Sequence, residues 1–226
     1  KDEGATHIGR CSYGCNVGDA IICADSGRGN KNRRGLFVCA AADKGGKTTM
    51  ATVTDGTSNT MAFAEINVSQ VDADSMYKSV VAYISGMKSK TPADCLATKG
   101  VDGMSASGTV YTVKGRRWMD ARTACSNFTA CIPPNAPSCS SSNDNGQGYG
   151  AYYISSASSN HSGGVNVVML DGSVRFVSET IDCGDLNNCL GGANNADGMD
   201  YCWQGKSTRG VWGAMATPKG KETVSM

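Results

Sequence analysis

Hydrophobic alternation along this chain is short-range and strand-like. The strongest stretch is Gly164-Val165-Asn166-Val167-Val168-Met169-Leu170, then Asp171-Gly172, then Ser173-Val174-Arg175-Phe176-Val177-Ser178. Two β-branched and aromatic runs flanking a turn dipeptide predict a hairpin. A two-residue type I′ turn centred on Asp171-Gly172 pairs Leu170 with Ser173, Met169 with Val174 and Val167 with Phe176. On that register Val165, Val167, Met169, Val174 and Phe176 face the core, while Val168, Leu170 and Arg175 face away. Asp171 then owes its place to the positive φ that such a turn demands.

Weaker strand signals lie at Gly35 to Ala40, Thr60 to Ile66, Val80 to Ile84 and Thr109 to Val113. Asp55-Gly56-Thr57-Ser58-Asn59 is a turn leading into the second of these. Pro133-Pro134-Asn135-Ala136-Pro137 predicts a rigid extended loop. Ser138 to Gly150 is poor in apolar residues and predicts a surface loop. No internal repeat is present.

Composition narrows the class. Of 226 residues, 29 are glycine and only 18% are charged, which favours a loop-rich β or α+β protein over a helical bundle. The net charge of +1 offers no long-range pull on a polyanion. Without a basic stripe interleaved with aromatics, nucleic acid is not an expected partner. The basic patch Lys31-Asn32-Arg33-Arg34 predicts a solvated loop. The longest apolar run, Val165 to Leu170, is interrupted by Asn166 and falls far short of the ~18 residues a membrane span needs.

Cysteine usage is the sharpest compositional signal. The eleven are Cys11, Cys15, Cys23, Cys39, Cys95, Cys125, Cys131, Cys139, Cys183, Cys189 and Cys202. No C-x-x-C pair occurs and the chain has two histidines, His7 and His161, so zinc ribbons and fingers are disfavoured. The expectation is disulfides formed outside the cytoplasm. An odd count leaves at least one thiol unpaired within this chain, whether free, paired between subunits, or separated from an upstream partner. The polar start Lys1-Asp2-Glu3-Gly4 is no signal peptide, so a processed or truncated form is expected.

Several blocks together resemble a known family. Asn160-His161-Ser162-Gly163-Gly164-Val165-Asn166-Val167 followed by Asp171-Gly172-Ser173-Val174 is similar to the H-X9-D-G signature of prepilin-processing-associated proteins, the DUF1559 family. Val53 to Thr60 with Glu65, Arg117-Trp118-Met119-Asp120 with Pro133 to Cys139, and Gly210 to Thr217 with Glu222 resemble further family blocks, in the family's order. The resemblance implies an α+β, pilin-like, β-rich head with an antiparallel sheet and long disulfide-stapled loops. It forms one domain over 1–226, with 1–35 a poorly assigned N-terminal extension whose residues 1–30 match no family block. It also implies a prepilin whose leader is cut and whose hydrophobic N-terminal helix, absent here, anchors the precursor in the inner membrane. The expected location is the periplasm or cell surface. The expected partners are other pilin-like subunits or a secretion apparatus, as in a type II secretion pseudopilus or type IV pilus-like assembly.

Candidate chemistry is sparse, and no enzyme is expected. No G-x-S-x-G, Walker or G-x-G-x-x-G pattern occurs. A strand over residues 165–170 spans ~20 Å, so His161 and Asp171 lie at opposite ends of it. The motif residues His161, Gly163, Gly164, Asn166, Asp171 and Gly172 therefore have structural roles, with His161 hydrogen-bonded to loop backbone. Asp55, Asn59 and Glu65 are candidate calcium ligands, since flexible carboxylate and amide oxygens suit that ion. The loops at Asn143-Asp144-Asn145 and Asn194-Asn195-Ala196-Asp197 have the same chemistry. Trp118, Trp203 and Trp212 are either core residues or a sugar-stacking surface, and the second option makes a glycan- or ligand-binding module the alternative function.

Overall fold

The computed structural model describes residues 9–23, 34–37, 48–70, 76–120, 123–141, 152–188 and 206–222. Of the expected strand over 35–40, residues 35–37 belong to no strand, while 38–40 lie outside the described residues, as do the Lys31 to Arg33 patch, the acidic loops at 143–145 and 194–197, and Trp203. So do Cys39, Cys189, Cys202 and the side chain of Cys23.

The chain is mostly sheet. Among the described residues the ten strands are β1 (Tyr13–Asn16), β2 (Ile22–Cys23), β3 (Met61–Glu65), β4 (Val81–Tyr83), β5 (Val110–Tyr111), β6 (Asn127–Phe128), β7 (Ser138–Ser140), β8 (Tyr152–Ile154), β9 (Gly164–Met169) and β10 (Val174–Ser178). They form two five-stranded sheets, β10-β9-β3-β1-β6 and β2-β8-β7-β4-β5. Each sheet has one parallel pair, β1 with β6 and β4 with β7, and its other pairs are antiparallel. The helices are short: α1 (Pro92–Leu96), α2 (Thr123–Ser126) and α3 (Gly210–Ala216). Among the described residues no helix is long and apolar enough to cross a membrane.

The first sheet packs Met61, Ala64, Val165, Val167, Met169 and Val177 against Phe128 and α3. Trp212 of α3 is fully buried there, and its indole Nε1–H donates to the Ile132 carbonyl at 2.9 Å. A tryptophan with its one polar atom satisfied is a good filler for such a core. The second sheet has its own cluster around Ala82, Met87, Ile132, Ile154 and the disulfide Cys95–Cys139. Cys11, Cys15, Cys131 and Cys183 hold free thiols, so the stapling of loops that composition predicts rests on one bond among the described residues.

The hairpin forms, but one residue out of the expected register. Val168 opposes Val174, Val167 opposes Arg175 and Asn166 opposes Phe176. The cause is the turn. Gly172 N–H donates to the Met169 carbonyl at 3.0 Å, and Gly172 takes φ 86°. This is a type I turn closed by a left-handed glycine, a three-residue loop in place of a two-residue one. Asp171 is not among the positive-φ residues; its Oδ1 instead accepts the Ser173 N–H at 2.9 Å and hydroxyl at 2.7 Å. Val174 and Phe176 consequently sit on the outer face, 64% and 53% exposed, and Val177 takes the core position. Arg175 is tolerated on the core side because β10 is an edge strand, where a long side chain can reach water.

Part of one expected surface loop is interior, and so is a second serine-rich run. Ser138–Ser140 is strand β7, fully buried in the middle of the second sheet. The run Ser155 to Ser159 is also buried and serves as a seam between the sheets. Ser155 N–H donates to Thr129 Oγ1 at 3.1 Å, Ser158 N–H to the Glu65 carbonyl at 2.8 Å and Ser159 N–H to Asn135 Oδ1 at 2.9 Å. Asn135 takes a left-handed φ of 60°, so the proline segment turns sharply where an extended loop was expected. At the centre of the seam Lys114, fully buried, donates from Nζ to the Ser156 carbonyl at 2.7 Å and Ser158 Oγ at 2.8 Å. It also reaches the Lys78 carbonyl at 3.1 Å and Ser138 Oγ at 3.2 Å.

Candidate functional site

The turn Asp55 to Asn59 docks the C-terminal segment. Asp55 Oδ2 accepts the Gly220 N–H and Oδ1 the Lys221 N–H, each at 2.8 Å. Asn59 Nδ2 donates to the Asp55 carbonyl at 3.0 Å. N–H dipoles aimed at both carboxylate oxygens take the places a cation would need. Glu65 lies at the opposite end of β3 from this turn, about 13 Å away at strand rise. The structure therefore does not bring the three expected calcium ligands together. Among the described residues no group of three His, Cys, Asp or Glu side chains is placed to hold a metal. Asp55→Ala strands the buried Gly220 N–H and leaves the exposed Lys221 N–H to water, and it is expected to lower stability by about 2 kcal/mol. An unchanged urea midpoint would refute that role.

Glu65 instead meets His161. Strands β3 and β9 are neighbours, so the end of one lies beside the start of the other. Glu65 Oε2 accepts the Asn166 N–H at 2.7 Å and Oε1 accepts Asn166 Nδ2–H at 3.2 Å. His161 Nε2 lies 3.2 Å from the same Oε1. The imidazole thus pairs with a carboxylate and not with loop backbone. Its own main-chain N–H donates to Ser159 Oγ at 3.0 Å, and that hydroxyl donates to the Gly164 carbonyl at 2.7 Å. Asp171 is at the far end of β9 and takes no part.

The two glycines have separate reasons. Gly163 takes φ 78°, which a side chain would resist. At Gly164 a Cβ would lie 2.2 Å from the Val177 carbonyl oxygen and 2.8 Å from the Phe176 ring. That ring covers the glycine from the neighbouring strand, as aromatic residues do for glycines in sheets. Gly164→Ala is expected to push β10 off β9 and cost about 2 kcal/mol. The check is amide exchange in Val174 to Ser178, which should accelerate.

Around His161 opens a cleft of about 450 Å³. Tyr13, Glu65, Asn67, Asn160 and His161 contribute to its wall. Asn67 N–H donates to Ser158 Oγ at 3.0 Å and its Nδ2–H to Asn160 Oδ1 at 3.1 Å. Trp118, 58% exposed, and the buried Trp212 do not line it. Sequence reasoning missed this meeting because Glu65 and His161 belong to separate motifs, and only the β3–β9 pairing joins them. The one available signal was that each is a residue able to form an ion pair or hydrogen bond within a family block.

A family model for a protein of unknown function, DUF1559 (SBP_bac_10), matches residues 1–184. The chain belongs to the DUF1559 family. That match contains the Asp55 turn, Glu65, the His161 loop and the Asp171-Gly172 hairpin of this DUF1559 protein, and ends before α3. No curated protein and no solved structure matches it.

Proposed function

We propose that this DUF1559 chain is a non-enzymatic, extracytoplasmic head of a pilin-like protein. It would serve as a structural subunit of a type II secretion pseudopilus or a type IV pilus-like surface assembly. The observation that supports this reading is how the motif residues are used. Asp55 holds the C-terminal segment, Asn166 and His161 share Glu65, and Asp171 caps Ser173. Two serines of the cleft wall are committed as well, Ser158 to Lys114 and Ser159 to the Gly164 carbonyl. Residues spent on internal hydrogen bonds build a rigid presenting surface. The test is expression of the full-length precursor in a host with a prepilin peptidase. Cleavage of a leader and recovery of the protein in sheared surface material are expected; an uncleaved protein in the cytoplasmic fraction would overturn the reading.

A second reading, a surface module that binds a ligand, is favoured by one specific observation. The cleft beside His161 is preorganised, with its Glu65 carboxylate held by Asn166 and the Asn67 side-chain amide hydrogen-bonded to Asn160.

A further inference from the structure

The volume of the His161 cleft, about 450 Å³, lies within the range of small-ligand sites. What lines it narrows the ligand. No lysine or arginine is present, and the Glu65 carboxylate forms part of the wall. An anion such as phosphate would face that carboxylate with no lysine or arginine in the wall to balance it. The one aliphatic lining residue, Ile66, is buried at 2% exposure, so an apolar ligand would gain little. The remaining groups are small or planar and polar, set beside one exposed aromatic ring, Tyr13, at 48% exposure.

That combination suits a ligand carrying hydroxyls that both donate and accept, together with an apolar C–H face. Hydroxyls donate to a carboxylate or an amide oxygen and accept from an amide N–H. A pyranose face stacks on a tyrosine ring. The amide geometry supports this. Asn67 spends an N–H on Asn160 Oδ1, which leaves Asn67 Oδ1 as acceptor and Asn160 Nδ2 as donor for a ligand. Glu65 is locked by Asn166 from the strand side, so its position is set before anything binds. We infer that this cleft binds a short neutral saccharide, with Tyr13 as stacking platform and Glu65, Asn67 and Asn160 as hydroxyl partners. The inference rests on the ligand-binding reading above and names its ligand class.

The experiment is an NMR titration of the isotope-labelled chain. Cellotriose, mannotriose and tri-N-acetylchitotriose are added separately, with trialanine and inorganic phosphate as contrasting probes. At least one trisaccharide is expected to shift the amides of Tyr13, Asn67, Asn160 and His161, with a Kd of about 1 mM or tighter. Tyr13→Ala should weaken that binding about 10-fold. Asn160→Ala, at an exposed position, should weaken it about 3-fold with thermal unfolding unchanged. No trisaccharide shift at these amides overturns the saccharide assignment, as do shifts elsewhere only. If trialanine or phosphate moves the cleft amides while the sugars do not, the saccharide class falls and the ligand-binding reading survives. If no probe moves them, both fall and the assembly reading stands without a ligand.

Discussion

Replacing both Cys95 and Cys139 with alanine is expected to lower unfolding free energy by about 4 kcal/mol. The two cysteines are separated by 44 positions, and tying such a loop removes a large share of the unfolded chain's freedom. The bond also has a local task. It joins α1 to β7, and α1 is a helix of five residues, too short to persist alone. Its start is well signalled, with Pro92 in the first turn and a reciprocal cap between Thr91 and Asp94. Those features set where the helix begins; the sulfur bridge and the packing of Met87 and Ile132 hold it on the sheet. Both cysteines are fully buried, so the alanines add small cavities to the entropic loss. Urea unfolding of the double variant beside the native protein gives the measurement, and a loss below about 1 kcal/mol would refute the assignment. The native protein in reductant should approach the variant. The difference between those two conditions would show how far the fold depends on an oxidising compartment.

Strands whose residues alternate against a core were readable in the sequence. Thr60 to Ile66 and Val80 to Ile84 contain β3 and β4, and the β9–β10 pair is where the alternation is strongest. The register of that pair was not readable, because Asp-Gly serves a type I′ turn and the loop of a type I turn plus left-handed glycine equally well. Counting apolar residues could not decide between them. The rejected register buries Val174 and Phe176, and the observed one exposes them at a sheet edge. Polar interior was harder still. Ser138 and the serines from Ser155 to Ser159 have the composition of a loop, yet each finds a partner on a segment remote in sequence. Burial of a hydroxyl depends on those partners and leaves no periodic trace. The His161–Glu65 pair belongs to the same class, legible as two residues and invisible as a contact.

Lys114 is the extreme case of polar burial, and its expected effect is the largest. Burial pulls its ammonium from the ordinary 10.5 down to about 7. A lysine with a lowered folded pKa binds fewer protons in the native state than in the unfolded chain between those two values. Stability contributed by this site therefore rises with pH from about 7 toward 10.5, and below about 7 the full cost of the buried charge is present. Over that window the change amounts to about 5 kcal/mol at ~1.4 kcal/mol per pH unit. Substitution by methionine, close to lysine in length and uncharged, removes the titration. Ser158 Oγ already donates to the Lys78 carbonyl at 3.0 Å, so that oxygen keeps a partner when Nζ is gone. Lys114→Met is expected to be as stable as the native protein or more so at about pH 6, where the charge costs most. It should fall behind as pH approaches about 10, where the native amine is neutral and fully hydrogen-bonded. Urea unfolding of both proteins across that range tests it, and the two stability curves should cross. Parallel curves would mean that the four oxygens around Nζ compensate the ammonium completely. Lys114 would then act as a permanently charged tie between the sheets and not as a strained one.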